Sequence, residues 1–213
     1  MKLIFATRNI GKIKEMREML KDLKVEVISM EEAGVKDEVV EDGNTFEENA
    51  LKKARFVAKR TGEWVVADDS GICIDALDGA PGIYSARWGG GGKSTEEVVQ
   101  FTLAKMKNVA DNKRGALFVS VAALTAPDGR VWIFMGEIRG QIATESRGTP
   151  RPHLPYDLVF IPKGRTRTFA EMSDAEKNSM SHRGRAFAKL KEYLKILPVF
   201  SAQTMVDQQS AAV

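Results

Sequence analysis

Three sets of side chains in this 213-residue sequence have the chemistry to act together: carboxylates, cations suited to phosphate, and a group near the carboxyl end that could hold a ring. Asp68 and Asp69 stand side by side, with Ser70 and Gly71 after them, where the apolar run Trp64-Val65-Val66-Ala67 ends. Adjacent carboxylates repel each other near neutral pH, so such a pair faces water, a divalent cation or a proton-transfer task. The alternative is a plain turn, since Asp, Ser and Gly are also turn formers. Glu41 adds an acid just ahead of a helical segment. Thr7-Arg8-Asn9-Ile10-Gly11-Lys12 follows a short apolar strand at 3–6, where a helix N-terminus would offer free N–H groups and a positive dipole end to phosphate. It lacks the glycine spacing of a P-loop, and a capped surface helix is the competing reading. Tyr156 and Asp157, at the mouth of a strand expected over 158–161, could hold a base.

The elements that must position these groups show in the periodicity. Ile13, Met16, Met19 and Leu20 recur at helical spacing after Lys12, and a second strand is expected over 25–28. The acidic segment 31–44 reads as a loop. Thr45-Phe46-Glu47-Glu48 has capping-box spacing, and Phe46, Ala50, Ala54, Val57 and Ala58 form one apolar face, leaving Asn49, Lys52 and Lys53 on the polar face. Glu48 and Lys52 are spaced as an i,i+4 pair. Ile72-Cys73-Ile74 reads as a separate strand returning to the core. Four glycines at 89–92 precede a second capping box, Ser94-Thr95-Glu96-Glu97, and read as a hinge or as a plain loop before a helix. Runs 114–125 and 131–143 are β-rich and joined by Pro127-Asp128-Gly129, an antiparallel hairpin whose first strand is apolar on both faces, so helices should cover both sides. Ser173-Asp174-Ala175-Glu176 is a third capping box, and Ala186, Leu190 and Leu194 keep helical spacing beyond it.

Composition bounds the rest. A chain with 43% hydrophobic residues can bury one large core, two-lobed around a cleft, over residues 1–200, with a polar tail at 201–213. A net charge of +3 suits an anionic small molecule and does not demand a nucleic-acid partner. The lone Cys73 leaves no intramolecular disulfide to form, which points to a reducing cytoplasm and an inert core thiol. No apolar run approaches the ~18 residues of a membrane span, and the N-terminal run is too short for a signal-peptide core.

Taken in order, five blocks resemble the HAM1-like, or inosine triphosphate pyrophosphatase, family. They are Thr7-Arg8-Asn9-Ile10-Gly11-Lys12, the segment from Glu41 to Ala54, Ala67-Asp68-Asp69-Ser70-Gly71, the segment from Ala80 to Arg87, and Phe169-Ala170-Glu171-Met172 through Lys177 to Ala186. The resemblance implies an α/β fold on a long bent mixed β-sheet flanked by helices, with two lobes and a central cleft. It implies a homodimer that uses Mg²⁺ to hydrolyse ITP, dITP or XTP to the monophosphate and pyrophosphate. Carried over by position, Thr7, Asn9, Lys12 and Lys52 would hold phosphates, and Glu41 and Asp69 the metal. Asp69 would also orient or deprotonate the attacking water, Ser70 would touch substrate, and Lys177, His182 and Arg183 would face the base. Asp68 is left to support a turn. Such an inventory agrees with the chemistry, because a triphosphate must be neutralised by cations and a hard divalent ion before water can approach phosphorus.

One block departs from the pattern. The family sequence at 153–158 is Gly-Phe-Gly-Tyr-Asp-Pro, and here it is His153-Leu154-Pro155-Tyr156-Asp157-Leu158. Leu154 stands where an aromatic would stack on a purine, a loss of ~1–3 kcal/mol by analogy with single-strand stacking platforms. Pro155 supplies no N–H. Two alternatives follow: a pyrophosphatase with shifted base preference, and a nucleotide- or nucleic-acid-binding module without turnover that uses the basic loop Lys163, Arg165 and Arg167.

Overall fold

In a computed structural model, which describes residues 1–201, the strands are β1 (Lys2–Phe5), β2 (Glu26–Ser29), β3 (Val65–Ile74), β4 (Gly115–Thr125), β5 (Val131–Ile142) and β6 (Phe160–Pro162). The helices are α1 (Ile10–Leu20), α2 (Phe46–Thr61), α3 (Thr95–Lys105), α4 (Asp174–Met180), α5 (His182–Ile196) and the short α6 (Pro198–Ser201). Residues 202–213, nearly all of the expected polar tail, lie outside the described residues. The strands form one mixed sheet in the order β2-β1-β3-β4-β5-β6. β1 runs parallel to both β2 and β3, and the remaining pairs are antiparallel.

The parallel part explains where a site can form. β1 leads through α1 to β2 on one side, and β2 leads through α2 back past β1 to β3 on the other. Right-handed crossovers then place α1 and α2 on opposite faces of the sheet. The apolar clusters agree: Met16 and Leu20 of α1 pack with Phe5, Val66 and Leu124, whereas Ala50, Ala54 and Val57 of α2 pack with Ile4, Val65 and Ala67. The strand order reverses at the carboxyl end of β1, which is where open α/β sheets bind ligands. A third cluster, around Phe118, Phe160 and Phe169, sits toward the far end of β3 and β4.

Four expectations need correction. Asp68 and Asp69 do not end a strand: β3 runs unbroken from Val65 to Ile74, with Asp68 opposite Ala122 and Asp69 opposite Val121, so the strand expected at 72–74 is the continuation of the same one. Asn49 and Lys53 belong to the buried face of α2, since positions 49 and 53 flank Ala50 and Ala54 and face the middle of β3. The strand expected at 158–161 starts at Phe160, after a 3-10 turn over Pro155–Leu158. Of the three expected capping boxes only Ser94 with Glu97 is reciprocal; Glu48 instead accepts from Asn44 N, Glu176 pairs with Arg167, and a box that the pattern did not single out forms at Thr168 and Glu171.

Arg114 closes the sheet against α3. It is buried, and its guanidinium donates to four main-chain carbonyls, those of Met106, Val109, Ile142 and Ala143, at 2.7–3.3 Å. Arg114→Ala should therefore lose about 3 kcal/mol or more in urea unfolding, because the carbonyls are stranded away from water. Arg114→Lys should recover little of that loss, because one ammonium cannot reproduce the planar fork.

Candidate active site

A cleft of about 640 Å³ opens at the carboxyl end of β1 and is lined by the 6–12 turn, Glu41, Lys53, residues 69–71 of β3, the 85–87 turn, Phe118, the 152–157 loop, His182 and Arg183. That volume lies within the roughly 300–1,000 Å³ typical of small-molecule sites.

Its phosphate-side wall begins where β1 becomes α1. Asn9 is the N-cap of α1: its Oδ1 accepts from Lys12 N at 3.1 Å, and its own N–H donates to Thr7 Oγ1 at 3.1 Å. Lys12 thereby projects from the first turn toward the sheet, where its Nζ lies 3.0 Å from Asp68 Oδ1. Burial lowers the affinity of Lys12 for its proton, with Asp68 opposing the shift.

Adjacent residues of a strand point to opposite faces, so the two aspartates serve different neighbourhoods. Asp68 faces α1 and α5, next to Lys12, and its Oδ2 accepts from Arg183 Nε at 3.1 Å and from the Ser70 hydroxyl. Burial works against its charge, yet Lys12 and Arg183 hold its carboxyl far below the ordinary range. It is a buried charge-pairing group rather than a turn former. Asp69 faces α2, where Oδ1 lies 3.1 Å from Lys53 Nζ and Oδ2 accepts from Asn49 Nδ2 at 3.2 Å. Burial raises its pKa, and Lys53 opposes that shift. Asn49 Oδ1 accepts from Gly43 N at 2.9 Å, tying the Glu41 loop to Asp69.

Glu41 Oε1 lies 3.2 Å from the same Lys53 ammonium. Two carboxylates from separate elements therefore converge on one cation, a donor set that fits a hard divalent ion. Glu41 and Asp69 are the side chains that would hold such an ion; among the described residues no cluster of three or more His, Cys, Asp or Glu side chains forms.

The opposite wall is set by two helices that share a cap. Ser181 ends α4, and its hydroxyl accepts from Gly184 N to start α5, so His182 and Arg183 occupy the first turn of α5 at the cleft. His182 stacks on Phe118 with centroids 4.3 Å apart and planes 3° from parallel, and its Nδ1 is buried without a hydrogen-bond partner. Burial, reinforced by Arg183 and Lys177, pushes its pKa well down, so the ring is neutral near pH 7. Arg183 Nη1 donates to Glu15 Oε2 at 2.5 Å and Nη2 to Ser70 Oγ at 3.1 Å. Burial opposes its charge, and Asp68 and Glu15 more than compensate, raising its pKa. Tyr156 donates to Ser85 O at 2.9 Å.

Most of the sequence-predicted site thus comes together: Thr7, Asn9, Lys12, Glu41, Asp69, Ser70, Leu154, Tyr156, Asp157, His182 and Arg183 all line the cleft. Two predicted residues do not. Lys52 points outward to Asp42 on the exposed side of α2, not to Glu48, and Lys53 takes the cleft position. Lys177 lies beneath the wall, fully buried, its Nζ 2.6 Å from Glu15 Oε1 and 2.5 Å from Asp157 Oδ2. The pattern missed Glu15, Asn49, Lys53 and Phe118. Glu15 had a signal, a charge one position before the buried Met16 on the inner face of α1.

Removing Arg183 should expose how the buried charges are balanced. In the wild type, burial opposes the Glu15 charge, and Arg183 and Lys177 overcome it, so the pKa of Glu15 is lowered. Its stabilisation is present above the ordinary glutamate value of about 4.3 and is lost as pH falls below it. Arg183→Met should cost about 3–5 kcal/mol at pH 7 by leaving carboxylates uncompensated. The deficit should shrink in thermal melts as pH falls from 7 toward 4, because Glu15 without its partner is protonated more easily.

Comparison with known proteins gives the ancestry. The Ham1 family model matches residues 3–193. A dITP/XTP pyrophosphatase of Streptomyces coelicolor is 44% identical over 191 residues, 89% of this chain and 94% of that protein. The dITP/XTP pyrophosphatase of Bacillus subtilis is 41% identical over 192 residues, 90% of this chain and 96% of that protein. Among solved structures, a HAM1 protein from Coxiella burnetii superposes with a TM-score of 0.82 at 38% identity, covering 92% of this chain and all of that one. With matches that span nearly the whole sheet and every wall of the cleft, the chain belongs to the Ham1 family.

Proposed function

We propose that this protein hydrolyses non-canonical purine nucleoside triphosphates, dITP and XTP foremost and ITP with them, to the nucleoside monophosphate and pyrophosphate. The observation that carries the reading is the Asp69 carboxylate on the cleft wall, which shares the Lys53 ammonium with Glu41, in one cleft with Asn9 and Lys12 of the α1 N-terminus. The relatives named dITP/XTP pyrophosphatase support the substrate class.

In this reading Thr7, Asn9 and Lys12 bind phosphate oxygens, Lys53 replaces Lys52 as the second cation, and Ser70 contacts substrate. Glu41 and Asp69 would hold Mg²⁺, which would neutralise the triphosphate and make water easier to deprotonate. Asp69 accepts a proton from the attacking water. The water oxygen bonds to the α-phosphorus, the bond to the β-phosphate oxygen breaks, and pyrophosphate leaves.

Base selection falls to the other wall. His182 is neutral and has an unpartnered Nδ1, so it asks for a hydrogen bond from or to the base. Arg183 can donate to a 6-keto oxygen, and adenine's amino group would leave that donor unpaired at a cost of about 1–3 kcal/mol. Leu154, Tyr156 and Asp157 complete the pocket, and Lys177 holds Asp157 from beneath. No helix among the described residues is long and apolar enough to cross a membrane. We further infer a homodimer, a cytoplasmic setting consistent with the single free Cys73, and no stable nucleic-acid partner. Residues 1–200 form one two-lobed domain in this reading, supported by apolar clusters that all draw on β3 and β4.

The test is pyrophosphate release from dITP, XTP, ITP, ATP, GTP and pyrimidine triphosphates, with Mg²⁺ and with chelator. Release should be fastest with the deaminated purines and should cease on chelation. Orthophosphate as product, or no release from any nucleotide, rejects the reading. A pyrimidine preference favours the shifted-base alternative raised by the 153–158 loop. Asp69→Asn should lower kcat by about 10²–10⁴-fold while nucleotide binding stays measurable by calorimetry.

A further inference from the structure

Between β5 and β6 the chain passes the cleft through Pro150-Arg151-Pro152-His153-Leu154-Pro155, and the Arg151 side chain, only 17% exposed, has no part in the chemistry above. Each of its three guanidinium nitrogens donates a hydrogen bond. Nε donates to Asp174 Oδ1 at 2.8 Å, Nη2 to Met172 O at 2.7 Å, and Nη1 to Phe169 O at 2.9 Å and Asp157 Oδ2 at 3.5 Å. One planar fork therefore grips the 169–172 turn, the start of α4 and the carboxylate held by Lys177. Asp174 in turn accepts from Lys14 of α1 at 2.9 Å.

The loop that leaves this anchor needs it. Three prolines within six residues remove three backbone donors, so the segment has few main-chain hydrogen bonds with which to hold itself. His153 adopts φ 58°, a left-handed conformation that a non-glycine residue keeps only when its surroundings impose it. Beyond Arg151 the loop lies directly on the phosphate-side turn: Pro152 O stands 2.5 Å from where a Cβ on Gly11 would be, and His153 O accepts from Asn9 Nδ2 at 3.3 Å. Leu154 and Pro155 face the cleft.

We propose that Arg151 is a positioning residue for base selection, its guanidinium clamping the 152–155 loop so that Leu154 and Pro155 present a fixed wall to the nucleobase. The proposal rests on the nucleotide pyrophosphatase reading above. A fixed wall discriminates because a misfitting base cannot push it aside, whereas a loosened loop accommodates several bases and binds the right one less well. The phosphates, held by main-chain and side-chain groups of the α1 turn, feel the clamp much less.

Arg151→Ala and Arg151→Lys are compared with wild type for kcat and KM on dITP, XTP, dATP and dGTP, and for competitive inhibition by tripolyphosphate, which has no base. Expected in both variants is a rise of about tenfold in KM for dITP and XTP, a similar fall in selectivity over dATP and dGTP, a kcat changed less than about threefold, and unchanged tripolyphosphate inhibition. Lysine fails as alanine does because it cannot reach acceptors that diverge around a fork. Asp174→Ala removes the most exposed partner of the clamp, so it serves where an Arg151 variant does not fold; it should shift selectivity in the same direction by about threefold. Folded variants with wild-type selectivity overturn the proposal, as does loss of kcat or of tripolyphosphate inhibition in step with all KM values, which marks a general structural role. Wild type that turns over none of these nucleotides overturns the pyrophosphatase reading and this proposal with it.

Discussion

The period-two alternation of β3 is the constraint on which this site depends. Because Asp68 and Asp69 are neighbours in an extended strand, their side chains leave on opposite faces, and the repulsion expected of an acidic pair is avoided by direction rather than by exposure. Each carboxylate then requires its own cation, and the two crossovers from the parallel strands supply them. α1 carries Lys12 to the Asp68 face and α2 carries Lys53 to the Asp69 face. A one-residue slip of β3 against β4 would exchange the faces and bring the wrong carboxylate, or none, to each cation, so the ten-residue register against β4 is part of the site.

Asp68 also belongs to a chain of alternating charges that is buried except toward its Asp174 end. Lys12, Asp68, Arg183, Glu15, Lys177, Asp157, Arg151 and Asp174 follow one another from the phosphate-side turn to the far end of the base wall, with successive partners 2.5–3.5 Å apart. Desolvating so many ions consumes much of what their attraction returns, so the chain is a weak source of stability. What it supplies is orientation. Arg183 is fixed by Asp68 and Glu15 at two of its nitrogens and by Ser70 at a third, which leaves the guanidinium little freedom to turn away from the cleft.

The fold was legible from the sequence wherever periodicity was strong. The α1, α2, α3 and α5 helices, the β4–β5 hairpin and the strand-to-helix turn at 7–12 stand close to where hydrophobic spacing and capping residues put them. The errors share a cause. Turn-forming residue types at 68–71 masked a continuous strand because Gly71 is needed for close approach, a Cβ there falling 2.3 Å from Gly82 O, and not for a bend. Lys53 was assigned to solvent because polar residues on a helix usually face water. It is buried here because Asp69 waits opposite it, a pairing that exists only once the sheet has formed. Glu15 and Lys177, 162 residues apart, could not be matched by spacing at all.

The same logic explains why phosphate recognition read more easily than base recognition. Phosphate binding at a helix N-terminus is local: Thr7, Asn9 and Lys12 lie within six residues, and the cap geometry fixes their relation. The base wall has no local unit, being assembled from β4, the 152–157 loop and the first turn of α5, each placed by different packing. Substitution in one of these pieces is absorbed by the others only if their contacts allow it. Gly11, which leaves room for Pro152 O and Leu154, lets the base loop rest against the phosphate turn, which keeps its own cap at Asn9. A change at Leu154 or Pro155 therefore acts on base fit through the packing of the loop against its neighbours, and the selectivity of this chain is a property of that packing, not of any single hydrogen bond.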